Sequence, residues 1–167
     1  DDMTKYLLGA AVGALCFGAA GVASAADLAC LITKNNSNPF FVKMKEGAEA
    51  GAKAAGVELQ AFAGEKDGDA GPQITAVENC VASGVKGILI TPSNDDVGPA
   101  LKAARAAGIL VISLDTPLGD AEAQDMTFAT DNFEAGVLIG KWAAATLGDK
   151  AKDAKIAMLD INKDNIS

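Results

Sequence analysis

Short apolar runs alternate with longer amphipathic segments along most of the chain, and this alternation is typical of successive βαβ units. The apolar runs predict strands at residues 28–33, 57–62, 86–90, 109–114 and 126–129, with another over 154–159. The segments between them predict helices at 39–55, 71–83, 94–107 and 132–147. Because most of these strands are continuous apolar runs, we expect a parallel sheet covered on both faces, which right-handed crossovers make a doubly wound α/β fold.

The helix boundaries carry local capping signals. Asn38 is placed to cap the first helix, Pro39 fits its first turn, and Gly56 ends it. Apolar residues three and four apart predict the buried stripes. These stripes are Phe41, Met44, Ala48 and Ala52 in the first helix, and Ile74, Val77 and Val81 in the second.

The first 25 residues have the pattern of an export signal. Lys5 precedes an apolar stretch over 6–22, and the stretch closes with the small residues of 23–25, Ala-Ser-Ala. We therefore expect residues 1–25 to be a signal peptide that is cleaved near Ala25, and the mature protein to be periplasmic. A short membrane anchor is the alternative interpretation.

Composition excludes several classes of function. The sequence contains no histidine, so a Ser-His-Asp or Cys-His nucleophile is impossible. The net charge of −8 argues against a nucleic-acid partner. Neither a dinucleotide-binding glycine motif nor a phosphate-binding loop motif occurs, and no cysteine pair has metal-site spacing. We expect no enzymatic activity, no metal and no cofactor.

Cys30 and Cys80 fall on apolar faces of a predicted strand and a predicted helix. Export to an oxidising compartment allows them to form a disulfide. Two buried free thiols are the favoured interpretation, and a bridge between them is the alternative.

Polar turns follow four of the predicted strands. They contain Lys34 and Asn38, then Thr91, then Asp115 and Thr116, and finally Thr130 and Asp131. The carboxyl ends of parallel strands share one edge of a sheet, which is where ligands bind in such folds. Amide, hydroxyl and carboxylate groups suit a neutral polyol, and an aromatic ring covers its C–H face.

Each of these residues also has a structural interpretation. Asn38 is a normal helix cap, Asp115 can cap a turn before Pro117, and Lys34 can be a solvated cation. Of the two aromatic residues at the helix start, Phe40 and Phe41, we expect Phe41 to face the core. The convergence of four polar turns is harder to explain in this way than any single residue.

Four segments in this order resemble the periplasmic sugar-binding proteins of ABC transporters, and most closely the ribose- and fructose-binding branch. They are residues 32–47 (ITKNNSNPFFVKMKEG), 87–93 (GILITPS), 111–117 (VISLDTP) and 128–132 (FATDN). The resemblance implies a type I periplasmic-binding-protein fold of two lobes that close on a monosaccharide. It divides the chain into an N-terminal lobe over 26–130 and the start of a second lobe over 131–167.

The resemblance also implies site residues. The sugar contacts of the family fall on Asn38, Phe40, Phe41 and Asp115, and flanking contacts fall on Lys34, Thr91, Thr116 and Thr130. Asp131, which we also take as a ligand-binding candidate, falls where the chain crosses to the second lobe. Ribose-binding members have arginine after the strand-end aspartate, whereas this chain has Thr116, which favours a fructose-like ligand.

The implied partners are a sugar, an ABC transporter permease and a chemoreceptor, and the implied state is a monomer. The family is about twice this length, so we expect this piece alone to bind sugar weakly. A sugar-sensing regulatory domain of the same fold is the alternative function. It is disfavoured because an apolar signal stands where such regulators carry a basic DNA-binding segment.

Overall fold

A computed structural model describes residues 26–157. Five strands form one parallel sheet: β1 (Leu28–Thr33), β2 (Glu58–Ala63), β3 (Gly87–Ile90), β4 (Leu110–Leu114) and β5 (Met126–Phe128). Four α-helices connect or follow them: α1 (Pro39–Ala55), α2 (Gly71–Ala82), α3 (Gly98–Ala106) and α4 (Asn132–Leu147). The strand order is β2-β1-β3-β4-β5, so the predicted doubly wound α/β sheet is confirmed.

The main core lies between the sheet and the pair α2 and α3. The strands contribute Ile32, Ile88, Ile90 and Val111, all fully buried, and the helices contribute Val77 and Leu101. On the opposite face α1 covers β1 and β2. Over β4 and β5 that face carries exposed apolar side chains, namely Leu110, Met126 and Phe128.

The predicted start and end of α1 are confirmed. The Asn38 side chain accepts a hydrogen bond from the N–H of Phe40, Pro39 lies in the first turn, and Gly56 ends the helix at a φ of 69°. Phe41 is buried, and Met44 on the same stripe is half-buried. The capping residue, the proline and the terminal glycine therefore fix the ends of α1 as the capping preferences of helices predict.

Several strands begin one residue later than predicted. In β2 the reason is that the N–H of Val57 donates to Ala52 O and so closes the preceding helix. The N–H of Ile109 closes α3 on Ala104 O in the same way. The helix predicted over 94–107 is divided into a 3₁₀ turn at Asp95–Val97 and α3, because Pro99 fits only the first turn of a helix.

The buried stripe of α2 is turned by one residue from the prediction. Its buried members are Gln73, Ala76, Val77 and Cys80. Ile74 and Val81 are only partly buried, although both pack against the core. The strand predicted over 154–159 is absent from 154–157, and its remaining residues lie outside the described range, as does the predicted signal at 1–25.

Cys30 and Cys80 form a disulfide, so the favoured prediction of two free thiols is wrong. Cys30 faces α2 from β1, an interior strand of the sheet, and Cys80 lies on the inward stripe of α2. Their Cα atoms are 6.2 Å apart, which is within the range that a disulfide spans. The bridge therefore ties the end of α2 to the middle of the sheet.

Helix α4 follows β5 and packs against the 3₁₀ turn Gly148–Asp153. None of its residues is buried, and Phe133 and Trp142 are mostly exposed. Within 26–157, no helix is both long enough and apolar enough to span a bilayer.

Candidate functional site

All five strands run parallel, so their carboxyl ends lie at one edge of the sheet. The turn containing Lys34 and Asn38 leaves β1 at this edge, that of Thr91 leaves β3, and that of Asp115 leaves β4. The strand order reverses between β1 and β3, where a crevice opens in folds of this kind. The predicted polar turns therefore share an edge.

A shallow concavity of about 240 Å³ lies at this edge. Three of the predicted residues line it: Phe40 from the first turn of α1, Asp115 from the end of β4, and Thr130 after β5. The rest of its wall is Met44, Leu114, Phe128 and Ala129. The concavity thus combines one carboxylate, one hydroxyl and two aromatic rings.

The second ring, that of Phe128, was not predicted as a site residue. It is more than half exposed at the end of β5, and its carbonyl oxygen accepts from the N–H of Asp115 at 2.8 Å. An aromatic residue at the end of a strand next to a strand-end aspartate is the signal that could have identified it.

Asp115 has a backbone conformation that is rare for a residue other than glycine. Its φ is 65°, and the N–H of Thr116 donates to Leu114 O at 2.6 Å across it, which is the pattern of a γ-turn. Such a conformation costs about 1–3 kcal/mol and is tolerated best by Asp, Asn and Gly. The turn directs the Asp115 side chain into the concavity.

Hydrogen bonds hold this turn in place. Thr116 Oγ1 donates to Asp115 Oδ2 at 3.2 Å, and Ser113 Oγ donates to the Thr116 carbonyl oxygen at 2.6 Å. Ser113 and Thr116 are both fully buried. Among residues 26–157 no cation pairs with Asp115, so most of the acceptor capacity of its carboxylate is unused by this part of the chain.

The two phenylalanines at the start of α1 differ in exposure. Phe41 is 5 % exposed, which confirms that it faces the core, whereas Phe40 is 52 % exposed. Their ring centroids are 5.3 Å apart in an edge-to-face arrangement. The buried ring therefore supports the exposed one from the side.

Asn35 organises the turn before α1 and was not singled out by the sequence. It is buried, and its Oδ1 accepts from the N–H and hydroxyl of Ser37 and from the N–H of Asn38, at 2.8–3.1 Å. Its Nδ2 donates to Asp67 Oδ1 at 2.8 Å, which joins this turn to the one after β2. Polar composition alone does not distinguish Asn35 from Asn36, which is exposed.

The other predicted site residues do not line the concavity. Lys34, Thr91 and Thr116 are buried beneath the edge, and Phe41 lies in the interior. Asn38 is exposed, with its Oδ1 engaged by the helix cap. Asp131 is exposed and caps α4 by accepting from the N–H of Glu134 at 2.8 Å.

Within residues 26–157 no residue that lines the concavity takes part in an ion pair. The hydrogen bond from Arg105, helped by the N–H of Val111, holds the pKa of Asp125 below its usual 3.8. Asp125 precedes β5, at the opposite edge of the sheet from Asp115. Among residues 26–157 no three Cys, Asp or Glu side chains are grouped so that they could hold a metal ion.

Known proteins resemble this chain over the whole described fold. Residues 28–165 match the family model for the periplasmic binding protein domain. The ribose import binding protein of Haemophilus influenzae is 34% identical over 132 residues, which cover 78% of this chain and 44% of that protein. The D-allose-binding periplasmic protein of Escherichia coli is 31% identical over 172 residues, which cover 98% of this chain and 53% of that protein.

Solved structures of periplasmic solute-binding proteins also resemble this chain. A periplasmic solute-binding protein from Actinobacillus succinogenes with bound D-allose has a TM-score of 0.65 and 33% identity, over 74% of this chain and 45% of that one. The chain thus spans about half the length of the relatives it matches. Its strand order, its family match and these likenesses agree, and the chain belongs to the periplasmic binding protein family, with the type I fold.

Proposed function

We propose that the protein is an exported solute-binding protein that captures a fructose- or ribose-like monosaccharide and delivers it to an ABC transporter, without chemistry on the sugar. The observation that carries the proposal is the Asp115 carboxylate, which shares an open concavity with the rings of Phe40 and Phe128. Relatives named for ribose and allose support the sugar class.

The concavity offers what a sugar needs on one side. The Asp115 carboxylate accepts hydrogen bonds from two hydroxyl groups, and Thr130 supplies a hydroxyl that both donates and accepts. The rings of Phe40 and Phe128 cover apolar C–H surface of the sugar. Asn38 does not line the concavity, but its exposed Nδ2 stays a donor at the same edge of the sheet, because the helix cap uses only its Oδ1.

The buried members of the predicted set have a supporting role in this proposal. Thr116 orients the Asp115 carboxylate, Phe41 packs beside Phe40, and Lys34 and Thr91 lie in the turns beneath the edge. The proposed N-terminal lobe comprises residues 26–130, and the proposed second lobe comprises residues 131–167. Asp131 is the first residue of the second lobe. In this proposal the lobes close on the sugar, and the closed form, a monomer, is recognised by the permease and by a chemoreceptor.

Export is part of the proposal. Residues 1–25 would be removed near Ala25, and the mature protein would act in the periplasm. The Cys30–Cys80 disulfide supports an oxidising compartment, since such bonds are rare in the cytosol. The Haemophilus relative is an import binding protein and the Escherichia relative a periplasmic protein, which favours transport over the sugar-sensing regulatory alternative.

Thermal-shift and calorimetric titrations of the full-length protein with D-ribose, D-allose and D-fructose test the proposal. At least one sugar should raise the melting temperature by mass action. The Asp115→Asn variant tolerates the positive φ but loses the charge, so its affinity should fall roughly 10- to 100-fold. Asp125→Asn removes the same charge at the opposite edge and should leave affinity unchanged. Equal affinity of the wild type and Asp115→Asn would exclude Asp115 from the site.

A further inference from the structure

One glutamine side chain is fully buried beneath the carboxyl ends of two neighbouring strands. Gln73 lies in the first turn of α2 and is 0 % exposed. Its Nε2 donates to Thr33 O at 3.1 Å and to Thr91 O at 2.8 Å. Its Oε1 accepts from the backbone N–H of Ser93 at 2.8 Å. Both side-chain donors and one acceptor position are therefore used.

The three partners of Gln73 belong to the two turns in which the chain leaves β1 and β3. Thr33 is the last residue of β1, and Thr91 and Ser93 follow β3. The two strands pair directly, and the strand order reverses between them. Gln73 thus joins both sides of the place where a ligand crevice opens in such sheets.

Packing alone does not explain a polar residue at this position. The other buried residues of the same stripe, Ala76, Val77 and Cys80, belong to the apolar core. An apolar side chain of similar volume would fill the space but would leave the buried N–H of Ser93 without its partner. The hydrogen-bonding groups of Gln73 are therefore the property that the position requires.

The turns that Gln73 joins lead to the proposed sugar contacts. From Thr33 the chain runs through Asn35, which holds the N–H of Asn38, into the helix that carries Phe40. On the other side β3 pairs with β4, whose end carries Asp115. The separation between Phe40 and Asp115 across the concavity depends on the junction that Gln73 bridges.

We propose that Gln73 is a positioning residue that sets the relative placement of the two turns and thereby raises sugar affinity without touching the sugar. The inference rests on the sugar-binding function proposed above. The effect of Gln73 on sugar affinity is separate from its effect on stability, because its hydrogen bonds fix the two turns and not the apolar core.

The test compares two buried positions one turn apart on α2. Gln73→Met keeps the approximate volume of the side chain and removes all three hydrogen bonds. Val77→Ala removes buried apolar volume from the same core and leaves the turns tied. Both are titrated with D-ribose, D-allose and D-fructose at a temperature at which circular dichroism shows them folded. Backbone amide NMR shifts of residues 34–38, of Thr91 and of residues 93–94 are recorded in parallel.

We expect Gln73→Met to weaken the affinity for the bound sugar by about tenfold or more, and Val77→Ala by less than about twofold. Gln73→Met should also move the amide shifts of both turns, and Val77→Ala should not. Affinity of folded Gln73→Met within about twofold of the wild type, or an equal loss in Val77→Ala, would overturn the proposal.

Two further outcomes keep the test decisive. If the wild type binds none of the three sugars, the proposed function fails and the positioning role is judged from the turn shifts alone, where unmoved shifts refute it. If Gln73→Met does not fold, the side-chain amide of wild-type Gln73 is followed by hydrogen exchange. Slow exchange that slows further with sugar supports the role, and exchange at the rate of an exposed amide, or unchanged by sugar, refutes it.

Discussion

Reducing the Cys30–Cys80 disulfide is expected to destabilise the protein strongly while leaving its folded arrangement in place. The bond joins β1 to α2 across a sequence separation of 50 residues, and both cysteines are fully buried. Reduction changes little in the volume of the core, because both sulfur atoms remain. The loss therefore comes mainly from the greater freedom of the unfolded chain.

The size of the effect follows from the length of the closed loop. Opening a loop of about 50 residues returns roughly 4 kcal/mol of conformational entropy to the unfolded state at 25 °C. For a domain of this size, that loss corresponds to a fall in melting temperature on the order of 10 °C. Because the sulfur atoms are buried, reduction of the native protein should also be much slower than reduction in denaturant.

Urea unfolding of the oxidised and the reduced protein measures this difference, with thiol titration to confirm the redox state. The variant with both Cys30→Ala and Cys80→Ala serves as the control, because a reductant should not change its stability. If the reduced wild type unfolds at the same urea concentration as the oxidised form, the bridge contributes nothing and the loop-entropy reasoning is refuted. A change in the double variant would instead show that the reductant acts elsewhere.

Three further predictions concern single side chains. Phe41→Ala should lower the free energy of unfolding by about 3 kcal/mol or more in urea titrations, whereas the exposed neighbour Phe40→Ala should cost under about 1 kcal/mol. Equal losses would show that both rings belong to the core. Asn38→Ala should cost about 1 kcal/mol through loss of the helix cap, and an unchanged urea midpoint would contradict this. The hydrogen bond from Arg105 lowers the pKa of Asp125 in the folded protein, so this carboxylate stabilises the fold above its unfolded pKa, and that stabilisation is lost as the pH falls below about 4. Asp125→Asn should therefore be less stable than the wild type at pH 7, with a difference that narrows in acid; a constant difference would refute the assignment.

Local signals allowed much of the fold to be predicted from the sequence. The bounds of α1 follow from Asn38, Pro39 and Gly56, which act within one turn of the helix. The parallel sheet follows from strands most of which are continuous apolar runs. In each case the residues that cause a feature lie within a few positions of it, so that periodicity and capping preferences are sufficient to predict it.

Features that depend on distant partners were missed or misassigned. The stripe of α2 is turned because Gln73 is held inward by hydrogen bonds to the carbonyl oxygens of Thr33, at the end of β1, and of Thr91, just after β3. These residues are 40 and 18 positions away in sequence. The disulfide requires that Cys80 face Cys30, and periodicity shows only that each points inward. The positive φ of Asp115 accompanies two backbone hydrogen bonds, from the N–H of Asp115 to Phe128 O and from the N–H of Thr116 to Leu114 O, and the sequence pattern indicates neither of them.

If Asp115 contacts the sugar as proposed, the γ-turn there also limits how the ligand preference could evolve. At a φ of 65° most side chains are strained, so the residues that a lineage can sample there are effectively Asp, Asn and Gly. Diversification towards new solutes would then proceed through neighbours with ordinary backbone angles, such as Phe40 and Thr130, around a nearly fixed anchor. A library built for redesigning the proposed site should accordingly vary those neighbours and keep position 115 constant.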